Sequence, residues 1–557
     1  MKMVLKLSSI FVIIALSIFL CVNIFTLPSI KPSDAPKEDF SAERAMKHVD
    51  KIAADIHQLE SKDHEYVKNY ILNEITALGL KPELQTGYSE NIMKGRLRFG
   101  NIENISTVLT GNGSTNDKIL AVAHYDSTSG GPGAADDASG VATLLETIRA
   151  LKESPSLKND IIFLITDGEE GGLLGAKAFV AKSSLLKDVS LVLNFEARGN
   201  TGPMIMFETA DNNAWLMEGF KKAAPDPVAF SFAYDVYKYM PNDTDFTLFK
   251  NAGKLGFNFA SVEGYETYHN ADDTPQNINR QTLQHEGSYS LSLLKYFGNM
   301  YELNRESGNS VYFSLVKGIF ILYPDQWAMP LAIAALLLFI VCFAVGRRRK
   351  VLTFKGSITA VFSALFTLAV SSGIGLLGNT LFNQKFRKNG SLNSYAEYKN
   401  ILSQGNHWIC ALILITLTVV TIFNILLVKR TAHENLICGY LFIWLIPAMV
   451  SGIAFKSASY LFLWPSIFML VGLLIKILSM PGKASSFSSF ILMLFTTASC
   501  ILIFVPILFL LFQAMTMGAA AILTGIAALP AGAIIITMIG FMKNPSSIGT
   551  KETTISH

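Results

Sequence analysis

Residues 121–172 constrain the fold of this chain more than any other stretch. Two apolar runs of strand length, 119–123 and 161–165, each open directly into metal-type ligands. His124, Asp126 and Asp136 follow the first; Asp167, Glu169 and Glu170 follow the second. Between them Val141, Leu144, Leu145, Ile148 and Leu151 recur at helical spacing and predict a helix over 139–152. The result is a strand–loop–helix–strand unit with its polar chemistry at the carboxyl ends of the strands, where ligands bind in open α/β sheets.

The rest of the chain does not read as an ordinary soluble protein. Half of its 557 residues are hydrophobic and 16% are charged, against about 25% charged in a soluble domain, and the mean hydropathy is +0.37. The charges concentrate between about residues 31 and 305, and the remainder is mostly apolar. Two regimes in one chain predict a water-soluble domain joined to a membrane domain. The net charge of +3 and the absence of a basic stripe or binding motif give no sign of nucleic acid. All five cysteines (Cys21, Cys342, Cys410, Cys438, Cys500) lie in apolar segments. The soluble part therefore has no disulfide framework and no cysteine nucleophile.

In chain order, residues 7–25 carry no charge and are long enough to span a bilayer, after Lys2 and Lys6. The run exceeds a usual signal-peptide core and no clear small-x-small site follows, so residues 1–27 read as an uncleaved anchor. Helices are expected over 41–53 and 63–78. Strand-like runs recur at 106–109, 119–123, 161–165, 191–195 and 257–261. Several are continuously apolar, as in strands covered on both faces. Residues 28–310 thus read as one α/β/α domain of single-domain size. From 311 the chain turns membrane-like to 542, with a tail at 543–557. Residues 311–323 are apolar but short. Seven spans are then expected near 327–346, 357–378, 408–428, 437–454, 460–480, 487–513 and 518–542, eight with the anchor. Arg347–Lys350, Lys429-Arg430 and Lys543 fall on one side of this arrangement, which the positive-inside rule makes cytoplasmic. The soluble domain then lies outside the cytoplasm: outside or in the periplasm of a bacterium, in a lumen of a eukaryote. The basic residues Lys385, Arg387, Lys388 and Lys399 fall on the other side and conflict with this topology. Within the spans Lys476 sits near an end, where it can snorkel, and the bundle reads as an anchor or partner platform.

The strand ends carry a convergent set. His124, Glu170 and Glu196 each follow or close a strand, His269 lies soon after 257–261, and Asp136 precedes the helix at 139. Two histidines and three carboxylates form a mixed N/O set that suits zinc. A shared carboxylate can bridge two ions, and a two-metal site lowers the pKa of a bridging water and clamps a tetrahedral intermediate. A free carboxylate beside it can take the water's proton and pass it to a leaving amine.

The ordered motifs His-x-Asp, GxxDDASG, GEE, NFE and a late YH followed by DDT resemble the M28 family of zinc peptidases. The combination with an N-terminal anchor and a multispan region is similar to its membrane-bound subgroup, the endoplasmic reticulum metallopeptidase and vacuolar membrane protease type. The resemblance implies a helix-flanked, mixed, mostly parallel sheet and a two-zinc peptidase, most often an aminopeptidase. It implies Asp136 as the bridging ligand, His124 and Glu196 on one ion, Glu170 and His269 on the other. It further implies Glu169 as general base and Asp126 as the carboxylate that orients His124. Glu196 is a departure, since many soluble members have Asp there.

Taken singly these residues say little: GEE is most often a solvated turn, and a histidine in a Tyr-rich loop is most often packing. Their order, each at the end of an apolar strand, carries the reading. Asp245, in the segment 242–246, and Tyr265 and Tyr268 are candidate substrate contacts that also fit plain packing. His48, His57 and His64 read as histidines of amphipathic helices, and no HExxH pattern is present. Gly130–Gly133 lacks the lysine of a phosphate loop and is expected to let the backbone turn near the metals. Peptides or proteins are the expected substrates and the bilayer a partner. Glutaminyl cyclase-like acyl transfer, a non-catalytic receptor on the same fold, and a transporter with an accessory domain are the alternatives.

Overall fold

The computed structural model describes residues 2–240, 242–303, 307–386, 395–479 and 485–543. They divide into two compact units, Ile24–Pro324 and Met1–Asn23 with Asp325–His557.

The helix α1 (Lys2–Asn23) belongs to the second unit. The first unit is a sheet of β1 (Glu83–Met93), β2 (Arg96–Leu109), β3 (Lys118–His124), β4 (Asp160–Thr166), β5 (Val189–Ala197), β6 (Ile205–Thr209) and β7 (Leu255–Ser261). Its strand order is β1-β2-β4-β3-β5-β7-β6. The central strands β4, β3, β5 and β7 run parallel. The flanking pairs β1/β2, β2/β4 and β6/β7 are antiparallel. This is the expected mixed sheet, with a parallel centre of four strands and antiparallel pairs on both sides of it.

The continuous apolar runs follow from burial on both faces. In β3, Ile119, Ala121 and Ala123 pack with α2 (Ala42–Ile52), α3 (Lys62–Ala77), α4 (Gly140–Lys152) and α9 (Arg280–Gly298). The alternate residues Leu120 and Val122 pack with α5 (Leu174–Lys182) and α8 (Asp245–Asn251). The period-two alternation of a strand divides the run between two helical layers. Ser41 and Ser61 start α2 and α3 by accepting the N–H of Arg44 and His64, each at 3.2 Å. Two further helices, α6 (Ala214–Ala223) and α7 (Ser231–Lys238), also belong to this unit.

Two parts of this unit differ from expectation. Only 106–109 of β2 reads as strand in the sequence, yet β1 and β2 form a hairpin paired from Glu83↔Ser106 to Met93↔Arg96. Its turn, Lys94-Gly95, has φ of 51° and 72°, the backbone of a two-residue hairpin turn matched to strand twist. Most of the hairpin projects beyond β4, which pairs with β2 only from Ile105 onward. It therefore lacks the core-facing alternation of the central strands. The second difference corrects a boundary. Residues 311–323, placed by sequence with the membrane-like region, lie in a hairpin of β8 (Ser310–Val316) and β9 (Ile319–Pro324) that belongs to the Ile24–Pro324 unit. Tyr312 and Phe320 join that unit's core, and Gly318 at φ 78° makes the turn.

The second unit is all helical: α1, α10 (Ala328–Arg348), α11 (Phe354–Phe386), α12 (Tyr395–Val428), α13 (His433–Ala454), α14 (Tyr460–Leu478), α15 (Ser485–Met515) and α16 (Ala520–Met542). Seven described helical stretches are long and apolar enough to cross a membrane. The last, Ser486–Met542, is 57 residues long and breaks at Thr516, φ 49°, into α15 and α16, which pack on each other. Three basic residues cap helix C-termini. Lys6 Nζ donates to Phe541 O at 2.6 Å, Arg349 Nη1 to Leu478 O at 2.6 Å and Lys543 Nζ to Val428 O at 3.2 Å. The start of α1 and the ends of α12, α14 and α16 thus share one end of the bundle. Lys476 does not snorkel: it is buried and its Nζ donates to Ser489 Oγ at 2.7 Å. Of the conflicting basic residues, Arg387 and Lys388 lie outside the described residues.

Candidate metal centre

The parallel strands deliver the expected ligands to one edge of the sheet. His124 ends β3, Glu196 lies near the end of β5, Glu169 and Glu170 occupy the turn after β4, and His269 lies in the loop after β7 at φ 59°. Asp136 sits in the turn that leads into α4, and its peptide bond to Asp137 is cis.

Asp136 stands at the middle of the set. Its Oδ1 is 3.2 Å from His124 Nε2 and its Oδ2 is 3.1 Å from His269 Nε2. Glu196 Oε2 lies 3.6 Å from His124 Nε2, and Glu170 Oε1 lies 3.0 Å from His269 Nε2. Two ligand groups result, His124–Asp136–Glu196 and Asp136–Glu170–His269, each with its ligand atoms within 4.8 Å of one another. A third, His124–Glu169–Glu170, brings Glu169 to the same place. His124 Nδ1 is 3.0 Å from the main-chain oxygen of Asp126. That contact puts the proton on Nδ1 and leaves the Nε2 lone pair for an ion.

The electrostatics fit a divalent cation. Burial pushes Glu196 up to about 8 and Glu170 up to about 7, and holds Glu169 well above the usual carboxylate range. Burial also opposes ionisation of Asp136, but His124 and His269 hold its carboxyl below that range. Burial would lower His269, yet hydrogen bonds to Asp136 and Glu170 bring it up to about 10. Several carboxylates buried together need a compensating positive charge. The donor set of two imidazoles and three carboxylates suits zinc.

Other acids shape the loops that carry these ligands. Asp126 Oδ1 accepts Glu169 N–H at 2.9 Å and Oδ2 accepts Glu170 N–H at 3.1 Å, while Oδ1 stands 3.5 Å from His124 Nδ1. Its carboxylate therefore holds the Glu169–Glu170 turn as well as facing the histidine. Asp137 Oδ2 accepts His124 N–H at 3.1 Å. Asp273 accepts Ala135 N–H at 2.7 Å and Asp136 N–H at 3.2 Å, fixing the turn under Asp136. The sequence alone does not single out Asp137 or Asp273, although both lie inside the motifs GxxDDASG and DDT. It also presents His57 and His64 as helix histidines. His57 is buried in the connection after α2, and His64 is buried with Nε2 2.7 Å from Asp167 Oδ1.

The expected substrate-side residues lie close by. Asp245, the first residue of α8, is buried. Its Oδ2 accepts Thr166 Oγ1–H at 2.5 Å, and its Oδ1 has no hydrogen-bond partner among the described residues. Burial pushes its carboxyl up to about 6. Tyr268 stacks on His269 with ring centroids 3.6 Å apart, and Tyr265 is buried one turn earlier. The Gly-rich loop approaches the His269 loop closely. A Cβ on Gly131 would stand 1.9 Å from Asn270 O, and one on Gly130 would stand 2.3 Å from His269 O.

Sheet and side-chain clusters together describe a candidate metal centre in a chain whose other unit is built of helices long and apolar enough to cross a membrane. Residues 104–294 match "Peptidase family M28", and the chain carries a domain of that family. It is 30% identical over 236 residues to rat endoplasmic reticulum metallopeptidase 1, covering 41% of this chain and 26% of that one. It is 28% identical over 363 residues to the vacuolar membrane protease of Botryotinia fuckeliana, covering 60% of this chain and 34% of that one. The chain thus matches about a quarter to a third of the length of these relatives. Among solved structures, an aminopeptidase from Aneurinibacillus sp. strain AM-1 superposes with TM-score 0.39 and 14% identity, over 49% of this chain and 98% of that one.

Proposed function

We propose that the chain is a membrane-anchored, two-zinc peptidase that removes N-terminal residues from peptides on the extracytoplasmic side. The observation that carries this reading is Asp136, which offers one carboxylate oxygen to each of two histidine-containing ligand groups. His124 and Glu196 would hold one zinc, Glu170 and His269 the other, and Asp136 both. Bound zinc supplies a lowered water pKa and a polarised scissile carbonyl.

The chain's own groups do the rest. Glu169, placed by the Asp126 clamp on its main chain, takes the proton of the attacking water and delivers it to the leaving amine. Asp126, through its carbonyl, keeps the His124 proton on Nδ1. Asp245, with one carboxylate oxygen without a hydrogen-bond partner among the described residues, and Tyr265 and Tyr268 form the substrate side. An aminopeptidase needs an acceptor for the substrate's terminal ammonium, and the Asp245 carboxylate meets that requirement.

The test is zinc content of the full-length protein in detergent, with hydrolysis of a panel of aminoacyl substrates and of peptides blocked at the N-terminus. Two zinc ions and chelator-sensitive release of free N-terminal residues are expected. A folded protein with no zinc overturns the reading. Cleavage of blocked peptides at internal bonds keeps the peptidase but overturns the aminopeptidase. Ammonia release from N-terminal glutamine without hydrolysis makes it a cyclase.

A further inference from the structure

Glu196 is the one proposed ligand whose second carboxylate oxygen is tied into the sheet. Its Oε2 faces His124 Nε2, and its Oε1 accepts Asn194 Nδ2–H at 3.2 Å. Asn194 lies two residues earlier on β5 and so projects to the same face. The same Nδ2 group donates to Oδ1 of Asn258 at 3.0 Å, its register partner on β7. Asn258 Nδ2 in turn donates to Glu208 Oε2 at 2.9 Å and to Thr244 Oγ1 at 2.8 Å. Glu208, on β6, pairs through Oε1 with Lys250 Nζ from α8. Asn194, Asn258 and Glu208 are all buried.

The direction of this chain is set from its far end. An ammonium only donates and a carboxylate only accepts. With Oε1 of Glu208 occupied by Lys250, Oε2 takes a donor, so Asn258 presents its Nδ2. The Asn258 Oδ1 then faces Asn194 and also takes a donor, so Asn194 presents its Nδ2, whose second hydrogen reaches Glu196. Reversing the Asn194 amide would set its oxygen against two other oxygens. The arrangement leaves Asn194 Oδ1 without a hydrogen-bond partner among the described residues. The sheet thus sacrifices one acceptor and keeps a donor on Glu196.

We infer that Lys250, Glu208, Asn258 and Asn194 form a hydrogen-bond relay that fixes Glu196 with Oε1 engaged and Oε2 turned to a divalent cation. The four are positioning residues for that one metal position. The inference rests on the zinc reading of the site and adds to it a reason why a glutamate, with one more rotatable bond than an aspartate, is held in one orientation.

The experiment is zinc titration of the full-length protein in detergent against a chromophoric chelator, with thermal unfolding of the metal-free protein alongside. Glu208→Gln keeps the shape but can donate as well as accept, which unlocks the direction. Lys250→Met, at the partly exposed rim, removes the anchor with less risk to folding. Each is expected to weaken one zinc equivalent by about 10–100-fold, the usual effect of removing outer partners of a ligand. The second equivalent and the metal-free melting temperature are expected to hold. Two equivalents at wild-type affinity in both variants overturn the relay and leave the zinc reading standing. Equal weakening of both equivalents, with a matching fall in metal-free stability, makes the chain structural cement. Wild-type protein that takes up no zinc removes the zinc reading and the relay together.

Discussion

The carboxylate of Asp126 holds the main chain of Glu169: its Oδ1 accepts the Glu169 N–H at 2.9 Å, and its other oxygen accepts the next N–H at 3.1 Å. One side chain thus aims both the proposed base and a proposed ligand. An asparagine there has one acceptor oxygen in place of two, and its NH2 would face a main-chain N–H. Asp126→Asn is therefore expected to lower kcat by about 10–100-fold, the range seen when outer partners of a site are removed, with KM nearly unchanged. Steady-state hydrolysis of an aminoacyl substrate checks it, and a change confined to KM would contradict this role.

Glu169 itself tests the chemistry. It joins neither of the ligand groups that share Asp136, so a neutral isostere leaves both of them whole. Glu169→Gln is expected to retain zinc and lose about 10²–10⁴-fold in turnover, the usual worth of a general base. Metal analysis and kinetics on the same preparation decide the matter. Loss of zinc would make Glu169 a ligand.

Gly131 tests how the His269 loop is supported. Its missing side chain lets the loop run against Asn270, where a Cβ would stand 1.9 Å from the carbonyl oxygen. Backbone must move to relieve such a contact, and the residue next to Asn270 is His269. Gly131→Ala is expected to weaken zinc at the Glu170–His269 position by at least about 10-fold and to spare the His124–Glu196 position. Competitive zinc titration reads the two separately, and equal loss at both would show a general loosening instead.

These tests fall on residues that the sequence reveals to different degrees. The proposed ligands are legible because four of them lie at or after the end of an apolar strand covered on both faces, and Asp136 lies just before the helix that joins two of those strands. Strands β3, β4, β5 and β7 therefore announce themselves, and their polar ends stand out against them. The supports do not. His64 and Asp167 meet across 103 positions of sequence, and Asp273 reaches the turn at Asp136 across 137. Nothing local marks such pairs, since any buried acid close to a ligand reads like a second ligand or a solvated turn. The β1/β2 hairpin is illegible for a related reason. Tyr88, Ile92, Leu97 and Phe99 are exposed, so its apolar residues do not mark a core. The β8/β9 strands look membrane-like because Val311, Tyr312, Phe313 and Phe320 are buried in protein, and hydropathy does not distinguish a protein core from lipid.

His285 gives a pH signature away from the metal centre. It is buried on α9, its Nδ1 accepts Met204 N–H at 3.1 Å, and burial pushes its imidazole down to about 4. In the unfolded chain a histidine takes its proton near pH 6.5. Between these values the unfolded or opened state binds a proton that the folded state does not. The contribution to stability is therefore whole above about 6.5, falls as pH drops, and levels off below about 4. Hydrogen-exchange protection at Met204, corrected for intrinsic rate, should fall by about tenfold per pH unit in that window. In His285→Gln, where the amide oxygen still accepts the N–H, that fall should vanish. A slope unchanged by the substitution would assign it to other groups.

The basic residues of the helical unit bear on which side of the bilayer the proposed chemistry faces. Lys6, Arg349 and Lys543 cap the ends of α16, α14 and α12 at one end of the helical bundle. Arg347, Arg348 and Lys350, in and just after the last turn of α10, and Lys429 and Arg430, just after α12, belong to the same end. Such a concentration of basic residues belongs in the cytoplasm. Both α1 and α10 have a terminus there, so on this proposed topology the chain is expected to leave the membrane at Ile24 and return at Asp325 on the opposite side. The proposed metal centre is then expected to be extracytoplasmic. The check is a single cysteine, in a chain whose five native cysteines are replaced, labelled by an impermeant maleimide. Asp34→Cys should label in intact cells and Lys350→Cys only after permeabilisation. The reverse pattern would put the peptidase domain in the cytoplasm and restrict its substrates to cytoplasmic peptides.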